Sequence, residues 1–303
     1  MRKLTKVQLV KMDAWMQEHA RLYDRAKWNY LFHGGDKDAI VKELISYQNP
    51  DGGIGHGFES DIQSPLSAAI PSAEAIFQAY EYDLDCSAAW FQNILSYFEH
   101  SVQDIPKYWE DCPKEAMDSP HAPWWHADSC TRFTPNPCAC AASALIRYGT
   151  EQQRALGNKV AQDCLSLLVG SGDCGDHDTL NLQVLVEQLL AMHSDLITEE
   201  VVAALRRRIY ENTCFDVSRY EEYCFTPLDF VSSPDSLWYD VVKQGIEQNF
   251  DYWFDTINAD GVWNPNFTWG VDSAVARQVT QNWIGYLTVK RAKILLQFDR
   301  IEK

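Results

Sequence analysis

Two short strings limit what this chain can fold into more than any bulk property does. Gln48-Asn49-Pro50-Asp51-Gly52-Gly53-Ile54-Gly55 and Asn258-Ala259-Asp260-Gly261-Val262-Trp263 each place Asn, any residue, then Asp-Gly after a stretch with helical spacing. Asp-Gly favours a turn, because Asp can bond its own backbone and Gly accepts positive φ. Gly170-Ser171-Gly172-Asp173 with Cys174-Gly175-Asp176 is a looser third case. The repeating unit is therefore helix, glycine turn, helix. Such hairpins bury one face against their neighbours, and a closed ring of them needs no end caps.

The apolar pattern supplies the helices. Over residues 5–30, Leu9, Met12, Met16 and Ala20 recur at three to four residue spacing, as one buried helical stripe requires. Further helices are expected over 36–47, 68–82, 88–101, 138–148, 152–168, 179–192, 199–210, 237–256 and 274–298. Pro71 fits near a first turn, where its missing donor costs nothing. The segments 104–137 and 211–234 read as irregular. The former carries Trp109, Trp124 and Trp125 among prolines, and that aromatic load fits a loop folded onto the protein better than a linker. Strand-like alternation is scarce, so the fold class is all-α, expected as a single domain over 1–303.

Charge and cysteine content exclude other classes. With 26 basic and 43 acidic residues the chain carries a formal charge of −17, which repels phosphate backbones and argues against nucleic acid as a partner. Arg206-Arg207-Arg208 is short and reads as a solvated helix face. A bilayer-spanning helix needs roughly 20 mostly apolar residues. None occurs, and no apolar secretory segment follows the basic start, so a cytoplasmic location is expected. Peripheral membrane contact stays open. The nine cysteines form no CxxC and are expected to be free thiols. The chain also lacks a Gly-x-Ser-x-Gly elbow, a dinucleotide fingerprint, a phosphate loop and His-Glu-x-x-His.

Three groups of residues could carry chemistry. In Gly53-Ile54-Gly55-His56-Gly57-Phe58-Glu59-Ser60-Asp61, three glycines let the backbone approach a neighbour closely, and His56 has carboxylates at Glu59 and Asp61. A helical turn would face His56 towards Glu59 and poise the pair for proton transfer. The alternative is that His56 and Asp61 bond backbone groups and lock the turn. Asp173-Cys174-Gly175-Asp176-His177-Asp178 offers second carboxylates at Asp173, Asp176 and Asp178, and donors for a divalent metal. Its plainer reading has Asp176 or Asp178 capping the following helix. Pro123-Trp124-Trp125-His126-Ala127-Asp128 could wall a cavity together with Trp263 and Trp269. Aromatic faces stabilise cations and stack on sugars, but such residues also anchor loops. His126 and Asp128 are weaker acid–base candidates.

The two Asp-Gly strings resemble the repeat motif of the squalene–hopene cyclase and protein prenyltransferase superfamily, in which a Gln and a Gly-aromatic pair bracket turns between outer and inner helices. Ala122-Pro123-Trp124-Trp125 followed by Pro135-Asn136-Pro137 looks like a bacterial branch of prenyltransferase-like proteins. The resemblance implies an α/α toroid, a barrel of paired inner and outer helices, around a largely apolar cavity. The chain departs from both standard activities. The nearest string to the cyclase acid motif is Asp83-Leu84-Asp85-Cys86, and no Asp-x-Cys zinc pair occurs. Three readings follow. In a terpenoid cyclase-like or polyprenyl-binding protein, Glu59 or Asp61 would supply the acid and His56 would orient it. In a carbohydrate-active α/α-barrel enzyme, one of these would pair with Asp173, Asp176 or Asp178 across about 5–9.5 Å. The third is a non-catalytic ligand-binding or scaffold protein. The expected ligand is a small apolar molecule or an oligosaccharide. No cofactor is expected, and metal dependence and oligomeric state stay open.

Overall fold

A computed structural model describes residues 1–103, 108–125, 133–170 and 172–302. Among them the chain is all-α, with twelve α-helices and isolated bridge pairs in place of a sheet. They are α1 (Lys6–His19), α2 (Leu22–Phe32), α3 (Lys37–Ile45), α4 (Ala69–Glu81), α5 (Ala89–Ser101) and α6 (Pro135–Tyr148). There follow α7 (Glu151–Val169), α8 (Asp176–Ala191), α9 (Glu199–Glu211), α10 (Pro227–Phe230), α11 (Tyr239–Asp255) and α12 (Ala274–Gln297). None of the described helices is long and apolar enough to cross a membrane. Eight cysteines are free thiols, and Cys130 lies outside the described residues.

The expected helix over 5–30 is two helices. Thr5 and Gln8 form a capping box that starts α1, and Ala20 ends it in an extended conformation (φ −71°, ψ 151°). The chain then folds back as α2, where Trp28 Nε1 donates to Asp13 Oδ1 at 2.7 Å and Gln17 Nε2 to Asn29 Oδ1 at 2.7 Å. Both helices pack against α12, and no glycine or proline marks the break between them. The helices α6 and α8 each start three residues earlier than expected, because Pro135 and Asp176 suit a first turn.

The chain forms two compact units, Leu44–Arg208 and a second made of Met1–Glu43 with Ile209–Lys303. In Leu44–Arg208 the central helix is α6, packed against α4, α7 and α8. Cys138 through Ile146 are all buried, and most of them are small, so neighbours approach this helix from several sides. Gly157 on α7 marks the closest approach, since a Cβ there would lie 2.9 Å from the Ile146 and Leu145 side chains.

In the other unit α12 packs against α1 and α2. Gly285 lets α12 close on Ala20 and Asp24. Asp24 is 0% exposed and is neutralised by Arg21 Nε at 2.8 Å and Lys27 Nζ at 3.0 Å. The Lys27 ammonium also lies 4.5 Å from the Tyr23 ring centroid. A buried charge is tolerated when it is paired in this way.

Candidate functional site

The turn after α3 is fixed from several directions. Asn49 N–H donates to Gly53 O, and Gly52 N–H returns to Asn49 O, each at 2.9 Å. Gln48 Nε2 donates to Gly52 O at 2.9 Å and to Trp90 O at 2.8 Å. The Asp51 carboxylate accepts from Gly53 N and Ser67 Oγ, and Ser72 Oγ accepts from Ile54 N. Gly52 has φ +91°, and a Cβ there would lie 2.1 Å from Asn93 O. No side chain fits that space. The turn after α11 repeats the pattern: Asn258 N–H donates to Val262 O and Gly261 N–H to Asn258 O, each at 3.0 Å, with Gly261 at φ +85°. In the looser third case, Ser171 lies outside the described residues.

His56 is exposed and left-handed (φ 56°), so the helical His56–Glu59 pairing expected from their spacing does not form. Its Nε2 instead meets Asn49 Oδ1 at 2.9 Å. Asn49 Nδ2 already donates to Pro65 O and Ser67 Oγ, so the amide offers oxygen to the ring. Nε2 must then carry a proton, and in the neutral ring Nδ1 is the basic atom. Glu59, half-buried, accepts the Asp61 N–H through Oε1 at 3.1 Å. Asp61 is 5% exposed, and its carbonyl accepts from Ala122 N at 2.8 Å. With Gln63 N–H bonded to Pro120 O, this lays 61–63 antiparallel to 120–122. The segment that leads into Trp124 and Trp125 is thereby tied to the glycine-rich turn. A cavity of about 10 Å³ lies under the turn, lined by Gly55, Phe58, Glu59, Ile62, Leu66 and Pro71 among others. That is room for about one water.

The four tryptophans differ in environment. Trp124 is 46% exposed. Trp125 N–H bonds Ala122 O, while its indole Nε1 is buried without a partner among the described residues. His126 and Asp128 lie outside the described residues. In the unit containing α12, Trp263 is fully buried, and its Nε1 donates to Trp253 O at 2.7 Å. Trp269 is also buried and borders an open groove of about 430 Å³ with Thr268, Asp272, Arg277 and Thr280.

Asp178 caps structure. Its Oδ2 accepts from Gly175 N at 3.1 Å, and its Oδ1 from Asn136 N at 3.0 Å, which joins the kinked start of α6 to α8. Asp176 Oδ1 accepts from His177 N, and Asp173 is exposed. Among the described residues no three His, Cys, Asp or Glu side chains are grouped to hold a metal ion.

Sequence reading passed over Ser67 and Ser72, which hold the turn, although a polar residue beside a glycine cluster is a usable signal. It also passed over Arg291, whose guanidinium lies over Trp253 and Trp263 at 5.1 and 5.5 Å from the ring centroids.

The described residues define an all-α protein of packed helix pairs joined by bonded glycine turns. No protein-family model matches the chain, and no curated protein matches it. It is similar to a solved structure of a protein from Actinoplanes, with a TM-score of 0.54 and 14% identity over 94% of this chain and 99% of that chain. At that identity the likeness carries the fold alone.

Proposed function

We propose that the chain is a polyprenyl-binding, terpenoid cyclase-like protein of the α/α toroid type, with its acid–base groups on the glycine-rich turn. The observation that carries the reading is the bond from His56 to Asn49. It fixes the imidazole as the Nε2–H tautomer and leaves Nδ1 as the proton acceptor on a turn that cannot easily move. The buried carboxyl of Asp61 would protonate an alkene or epoxide of the ligand. His56 Nδ1 would take the proton that leaves the resulting cation. Glu59 positions Asp61 by holding its N–H. The cavity under the turn is too small for such a ligand, so contact falls on the face where His56 is exposed. The repeated Asn-x-Asp-Gly turns and the aromatic clusters support the toroid and its apolar lining.

A second reading, carbohydrate chemistry, draws on Trp124. Its half-exposed ring, on the segment paired with Asp61, offers a face on which a sugar can stack.

Organic extraction of the purified protein, followed by incubation with polyprenyl compounds or with oligosaccharides, separates the two. Polyprenyl retention with product loss in D61N supports the first reading. Oligosaccharide cleavage or retention, without polyprenyl binding, supports the second.

A further inference from the structure

We propose that Arg291, in the unit made of Met1–Glu43 with Ile209–Lys303, is the centre of a binding site for a small oxyanion, a carboxylate in preference to a phosphate.

Arg291 is unusual for a chain with 43 acidic and 26 basic residues. Among the described residues no hydrogen bond or ion pair reaches its guanidinium, whose contacts are the ring faces of Trp253 and Trp263. Other basic residues of this unit are matched: Lys290 Nζ bonds Asp229 Oδ1 at 2.7 Å, and Arg300 bonds Glu247. Asp229 is already engaged by Lys290 and, through Oδ2, by Thr226 N and Oγ1 at 2.8 Å each, and it makes no bond to Arg291.

The surroundings suit a ligand. Trp263 is pinned by its bond to Trp253 O, so the surface beneath the guanidinium is rigid. The ring contacts use none of the guanidinium N–H groups, and their in-plane fork matches two oxygens of a carboxylate. Desolvation by burial pulls the Arg291 pKa down to about 10 against the opposing charge of Asp229, yet the side chain keeps partial solvent access.

Three buried polar atoms in these elements also lack partners among the described residues. Tyr220, 2% exposed, carries an unbonded hydroxyl and stacks edge-on against Tyr252, a neighbour of Arg291. Thr288 Oγ1 lies three residues before Arg291 on α12, and Asn249 Nδ2 lies one turn before Trp253 on α11. Buried polar atoms are nearly always bonded, so each of these calls for an explanation. The nearby Asp229 carboxylate disfavours a dianion, and this sets carboxylate above phosphate.

The test is titration of the full chain with benzoate and with inorganic phosphate at low salt, read by tryptophan fluorescence and calorimetry. Saturable benzoate binding, at least about tenfold weaker in R291Q and intermediate in R291K, is expected. Phosphate binding tighter than benzoate overturns the preference. No saturable binding of either probe, or equal affinity in R291Q, overturns the site. Should R291Q fail to fold, nitrogen-15 arginine NMR of the wild type decides, with R291K assigning the signal. A saturable shift of the Arg291 Nε–Hε signal supports the site, and its absence contradicts it.

Discussion

Gly52 and Gly261 occupy the same place in two copies of one turn. Each donates its N–H to the carbonyl of the Asn three residues earlier, and each has a left-handed φ, +91° and +85°. The two differ in what surrounds them. A Cβ at Gly52 would meet Asn93 O at 2.1 Å, whereas one at Gly261 would meet the Lys11 Cβ at 3.0 Å. Backbone at 2.1 Å cannot yield without moving α5. G52A should therefore cost about 3 kcal/mol or more, and G261A about 1–2 kcal/mol. Urea unfolding of the two variants checks this, and equal costs would contradict it.

Asn49 and His56 share one bond but should respond differently to truncation. Asn49 also donates to Pro65 O and Ser67 Oγ, so N49A should cost about 1–3 kcal/mol. The exposed His56 makes that single bond, so H56A should cost less than about 1 kcal/mol while abolishing any reaction that uses Nδ1. A stability loss in H56A equal to that of N49A would mean that the imidazole is a structural pin.

Asp24 gives the chain an acid limit. Burial pushes its carboxyl up, but Arg21 and Lys27 outweigh that effect and hold it below its ordinary value of 3.8. A carboxyl with a depressed folded-state pKa contributes stability in full above its unfolded value, and this is lost as pH falls through the folded value. The thermal midpoint of the unit containing Asp24 should thus fall below about pH 4. D24N should remove that component of the acid slope and cost about 3–5 kcal/mol at pH 7, because Lys27 and Arg21 are left uncompensated. Midpoints from pH 7 to 2.5 for both proteins decide; an unchanged acid slope in D24N would contradict the assignment.

Much of the fold was legible because its signals are local. Apolar spacing locates most helices within a few residues, and Asp-Gly marks both turns at Gly52 and Gly261. The capping role of Asp178 was also legible, since a carboxylate just before an apolar run is a helix start. The break at Ala20 was not legible, because no glycine or proline marks it and buried positions resume directly in α2. Residue type alone could not distinguish Trp263, buried against Trp253, from Trp124, half exposed on a loop. Arg291 was silent for a similar reason, since its stack is assembled from α11, α12 and the turn that follows α11.

The most direct test of the central claim is native mass spectrometry of the wild type and D61N after incubation with a polyprenyl substrate, followed by organic extraction and product analysis. A retained polyprenyl species in both proteins, with a cyclised product in the wild type alone, is the predicted result. Absence of any retained polyprenyl species in the wild type would contradict the account.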